Sequence, residues 1–214
     1  MHDRADGLDT AFLTAASIAL ELIRQPDVSE QWNRPSALPK LSVGALACHL
    51  GSQPLRVAEL LATNTIVAPL SSADEHYGRA AWVRSSSPDD PINDRSVDEA
   101  EAALGDRALH NRVAAAVRAV QDLLASGAAS EVILIPWQGW SLRREDFLLT
   151  RLVEIVVHSD DLAHSVGIAT PQFPEDVFAP VGGLLMRLAV RRHGQHAVIS
   201  TLTRRERAQA ISAF

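Results

Sequence analysis

The stretch TRLVEIVVHSDDLAHSVG, residues 150–167, reads as one apolar helix, yet it carries Glu154, His158 and Asp161 at spacings of four and three. At about 100° per residue, Glu154, His158, Asp161 and Arg151 share an arc of about 80°. Leucines, isoleucine, valines and alanine fill an arc of about 220° on the remaining circumference. Two readings fit. The stripe is a solvated face with Arg151 and Glu154 pairing at i,i+3. Or the wide apolar arc packs on most sides, and the stripe lines a cleft where a buried carboxylate calls for a cation. Glu-x-x-x-His at i,i+4 can aim a carboxylate oxygen and an imidazole nitrogen at one ion, but a third ligand has to come from another segment.

Working outward, this helix spans about 144–166 and stops at Gly167, a common left-handed C-terminal residue. Before it, EVILIPWQGWSL (131–142) is β-prone and contains Pro136 and Gly139, which predicts a short extended stretch or hairpin. A first helix is expected over 8–25, with Asp9 or Thr10 able to cap it and Pro26 and Asp27 stopping it. A second is expected over 43–68, capped by Ser42 and kinked at Pro54. Residues 69–95 read as a polar link. A third helix is expected at about 97–126, opened by Ser96, with Asp98 and Glu99 at its positive end and Gly127 closing it. Two further helical pieces follow Gly167, the last with Ser200 or Thr201 as cap. Four main helices and a C-terminal extension make the chain all-α, a helical bundle.

Composition agrees with that class. The 214 residues suffice for one domain with a real core, and Ala and Leu abound while aromatics make up only 5%. A net charge of −6 without a Lys/Arg block argues against nucleic acid as partner. No stretch has the length of a membrane span. A single cysteine, Cys48, rules out an internal disulfide and suits a reducing compartment. With a polar, acidic N-terminus unlike a signal peptide, the expected location is the cytoplasm. Cys48 is expected to be packing.

Of eight histidines, His2, His76, His110, His164, His193 and His196 are expected at the surface. His49 differs: it lies in VGALACHLGSQ (43–53) among Ala45, Leu46 and Leu50. A lone histidine on such a face is more often a satisfied core group than a ligand.

The stretches PSALPKLSVGALACHLGSQ (35–53) and LTRLVEIVVHSDDLAHSVG (149–167) resemble the two metal-ligand segments of the mycothiol-dependent maleylpyruvate isomerase metal-binding domains, in the DinB-like superfamily. The tail from Phe178 to Phe214 is similar to tails of uncharacterised actinobacterial members. The resemblance implies a DinB-like four-helix bundle over 1–167, with 168–214 as a helical extension packed on it. It implies a divalent metal held by His49, Glu154 and His158, with zinc or nickel heading the candidates and iron or manganese also compatible. It implies mycothiol as thiol co-substrate and a small-molecule electrophile as its target, hence an S-transferase or isomerase. Arg56, Arg151 and Asp161 are candidates for gripping the thiol or the electrophile, or for supporting the ligands. Trp137 and Trp140 could wall the pocket or pack under a loop. No residue is singled out as catalytic. The named isomerases carry a further sterol-carrier-like domain, for which 168–214 is too short, so maleylpyruvate is not the expected substrate. The competing expectation is a non-catalytic module that binds a metal or small ligand in a regulatory complex. The chain is expected as monomer or homodimer.

Overall fold

The computed structural model describes residues 2–84, 90, 94 and 96–214, with side chains from residue 7 onward except that of Arg84. Residues 85–89, 91–93 and 95 of the expected polar link and the side chain of His2 lie outside the described residues. The chain is mostly helical: α1 (His2–Ile23), α2 (Pro26–Glu30), α3 (Val43–Leu60), α4 (Ala73–Arg79), α5 (Ser96–Ala102), α6 (Asp106–Ala125), α7 (Arg144–Val166), α8 (Glu175–His193) and α9 (Gln195–Thr203). Between α6 and α7 lies a hairpin, β1 (Val132–Ile135) and β2 (Trp140–Arg143), antiparallel with Val132 opposite Arg143 and Ile135 opposite Trp140.

Helix α1 packs on α7, α6 and α3, and α3 packs on α6, α7 and α5. The pattern is readable in the residues. Phe12, Ala15, Ala16, Ala19 and Ile23 follow one another at helical spacing on α1, and all are fully buried. Val113 and Val120 on α6, and Leu148, Leu152, Ile155 and Leu162 on α7, face the same core. The α3 helix is enclosed along its whole first half, Val43 to Gly51. Helix α8 covers α1, α7 and α4.

The expectations hold for α7, whose end at Gly167 has φ 77°, and for the hairpin. Ser42 caps α3 by accepting from the Ala45 N–H, as expected. Other boundaries are corrected. Helix α1 starts at His2, so Asp9 and Thr10 lie inside it, and Asp9 instead stands 3.4 Å from Arg144. Pro26 opens the short α2 rather than only stopping α1, because its fixed φ suits a first helical turn. Helix α3 ends at Leu60, not 68. Thr63 turns back on the Leu60 carbonyl with both its N–H and its hydroxyl, a local bond that competes with helix. The expected third helix is two. Gly105 sits between them at φ 84°, a conformation no helix continues through. Ser200 and Thr201 lie within α9 and do not cap it.

Within the polar link is the unexpected α4, capped by Ser72, whose hydroxyl accepts from the Glu75 N–H. Ser72-Ala-Asp-Glu75 has the Ser-x-x-Glu pattern of a helix start, the signal that could have found it.

Candidate metal centre

Helices α3 and α7 meet with His49 of one against Glu154 and His158 of the other. The His49 and His158 rings lie edge to face, centroids 4.7 Å apart. A ligand atom from each of the three residues lies within 4.8 Å of the others, the arrangement of a candidate metal cluster. Glu154 places one carboxylate oxygen 3.5 Å from His49 Nε2 and 3.3 Å from His158 Nε2. For ligands at 2.0–2.2 Å from a tetrahedral ion, neighbouring donors stand roughly 3.4 Å apart. The two separations match that edge.

Each imidazole is held from behind by a carboxylate. His49 Nδ1 stands 3.1 Å from Asp98 Oδ2, and His158 Nδ1 stands 2.9 Å from Asp161 Oδ2. A carboxylate on Nδ1 turns the ring so that Nε2 faces the cluster and makes that nitrogen a better ligand. His49 Nε2 is buried and has no hydrogen-bond partner. A buried nitrogen facing a carboxylate oxygen without a bond between them is the local signature of a place for a cation.

The electrostatics agree. Burial works against a charge on Glu154, but His158, His49 and Arg151 together hold its carboxyl well below the ordinary value. Burial likewise opposes a charge on His158, yet its bonds to Asp161 and Glu154 raise it to about 9. A divalent ion would take the place of that proton.

The reading of the stripe as a solvated face is corrected by Arg151, which is only 5% exposed. It donates to Gln53 Oε1 at 2.9 Å and to the Thr150 hydroxyl, and its guanidinium lies over Phe147. A cavity of about 400 Å³ opens on the cluster. Arg56, Arg151 and His76 give it polar walls, while Trp82, Trp137, Val157 and Phe214 give it an apolar side. Arg56 lies over the Trp137 ring at 4.8 Å. Cys48 is buried packing, its thiol pushed up to about 12 first by burial.

Two residues escaped the sequence reading. Asp98, read only as a favourable charge at a helix start, supports His49. The spacing of 49 residues and its place on the short α5 left no local signal. Asp98→Asn is expected to weaken divalent-metal affinity by about 10- to 100-fold, measured by competition with a chromophoric chelator. His76, expected at the surface, is 3% exposed and faces the cavity. Its Nδ1 accepts from Trp140 Nε1 at 3.1 Å. Trp140 therefore holds His76, whereas Trp137 lines the cavity itself. Of the other histidines, His110 is half-buried against the Ile23 carbonyl and His193 is half-buried beside Ser212, while His164 and His196 are exposed as expected.

Burial, together with Arg151, lowers His76 to about 4, with Glu154 opposing. The ring is neutral when folded and titrates near 6.5 when unfolded. Its contribution to stability is therefore full above pH 6.5, falls as the unfolded chain takes up a proton below that, and is gone by about pH 4. Chemical denaturation of metal-stripped protein is expected to show a loss of up to roughly 3 kcal/mol over this window, which His76→Phe removes.

Fold and site together define a helical protein with a candidate His–Glu–His metal centre between two long helices. Residues 12–163 match the family model of the mycothiol maleylpyruvate isomerase N-terminal domain, and the chain belongs to that family. Comparison with curated proteins and with solved structures finds no match. Among the described residues, no helix is long and apolar enough to cross a membrane.

Proposed function

We propose that this chain is a divalent-metal-dependent, mycothiol-using transferase or isomerase. His49, Glu154 and His158, on the cavity wall, would hold the ion, zinc or nickel. The observation that carries the reading is the buried His49 Nε2, which makes no hydrogen bond and stands 3.5 Å from the Glu154 carboxylate beside a second imidazole. Membership of a mycothiol-related family supplies the thiol. The arrangement of α1, α3, α6 and α7 supports a DinB-like four-helix bundle over 1–167, with 168–214 as an extension against it.

The ion supplies the positive charge that keeps a thiol ionised at neutral pH, and the thiolate is the nucleophile. The chain's own groups do the rest. Asp98 and Asp161 fix the two imidazoles. Arg56 and Arg151 place positive charge on the cavity wall, where they can hold anionic groups of the thiol or its partner. Trp137, Val157 and Phe214 give the cavity an apolar side that favours an electrophile with an apolar body.

Elemental analysis of purified protein tests the first half: about one divalent ion per chain is expected. Incubation with mycothiol and a panel of electrophiles tests the second, and chelation is expected to abolish conjugation. Undiminished turnover without metal would sink the proposal. A bound ion with no turnover of any thiol would favour the non-catalytic binding module.

A further inference from the structure

The cavity that opens on the candidate metal centre is also walled by an imidazole that serves neither as ligand nor as support for one. His76 sits on α4, edge-on to Tyr77 at 5.1 Å and to Trp140 at 5.8 Å between ring centroids. An indole N–H can only donate. Because Trp140 donates to His76 Nδ1, that nitrogen carries the lone pair and the neutral ring carries its proton on Nε2. The two aromatic neighbours hold the ring in place. Trp140 is itself fixed by the hairpin, opposite Ile135.

We propose that His76 is a neutral hydrogen-bond donor whose Nε2–H binds the acceptor oxygen of the electrophile in the cavity, and that Trp140 is the positioning residue that fixes this tautomer. The role rests on the thiol chemistry proposed above. When a thiolate adds to a conjugated enone, a C–S bond forms at the β-carbon and the C=C pair shifts. Negative charge then builds on the carbonyl oxygen. A preset N–H at that oxygen stabilises the charge without giving up its proton, and solvent protonates the α-carbon afterwards. A neutral imidazole suits this role because it stays a donor throughout, as in other enzymes that polarise carbonyls with uncharged histidine.

Two measurements test it with 4-phenylbut-3-en-2-one as probe. The first needs no turnover. In ¹⁵N-histidine spectra of metal-free protein without thiol, His76 is expected to show a protonated Nε2 and a bare Nδ1. The enone is expected to move the Nε2–H resonance, and Trp140→Phe is expected to give mixed tautomers. A proton on Nδ1, or no shift at saturating enone, overturns the proposal. The second uses the metal-loaded protein with mycothiol. His76→Phe is expected to lower kcat roughly 100-fold with KM for mycothiol and metal content unchanged, while His76→Gln recovers part of the rate through its amide N–H. An unchanged kcat in His76→Phe also overturns it. If wild type conjugates nothing, the thiol reading fails, and the nitrogen spectra still decide the donor role.

Discussion

His49→Ala is expected to lose divalent-metal affinity by at least about 100-fold, because two ligands from one helix make a weak site without the third. The measurement is competition against a chromophoric chelator at fixed pH, with His164→Ala as control, since His164 is exposed on the same helix as the other two ligands. The substitution also leaves Asp98 without its imidazole in a nearly closed environment, which costs about 1–3 kcal/mol. That is small enough for the protein to remain folded, so binding and stability can be read separately. Metal affinity equal to wild type in His49→Ala would remove this residue from the site and with it the joining of α3 to α7 through an ion.

Phe147→Ala is expected to destabilise the fold by about 3–5 kcal/mol. The ring is fully buried near the start of α7, and Arg151 lies over it at 5.7 Å. Deleting it opens a void under the turn from which Arg151 reaches Gln53. For a chain of this size the change corresponds to a fall in Tm of roughly 6–20 °C, read by calorimetry on the metal-free protein. A fall under about 2 °C would mean that the neighbouring side chains collapse into the space. Metal affinity measured well below the new Tm should change little, because Glu154 and His158 lie two and three turns further along the helix.

The sequence made α7 legible because several signals agree there: helical spacing of leucines, acidic residues in the first turn and a glycine at the end. It also made His49 legible, but only through the motif around it; helical spacing alone could not say that α3 meets α7. Asp98 and His76 were opaque for one shared reason. Both sit on helices of seven residues in polar stretches, and their burial comes from distant chain: Asp98 from α3, and His76 from Trp140 on the hairpin. Gly105 was visible as a residue, but its positive φ divides a pattern that otherwise runs on with helical periodicity.

The hairpin and α7 share a seam: β2 ends at Arg143 and α7 begins at Arg144, with no residue between them. Inserting one residue at that seam would change the phase of Glu154 and His158 by about 100° relative to Trp140, or force the hairpin out of place. The tip at 136–139, by contrast, can vary in shape without disturbing that phase, and it carries Trp137 and Gln138 of the cavity wall. A change of shape at the tip would thus reshape one wall of the cavity, while the base of the same hairpin sets the direction in which Glu154 and His158 point.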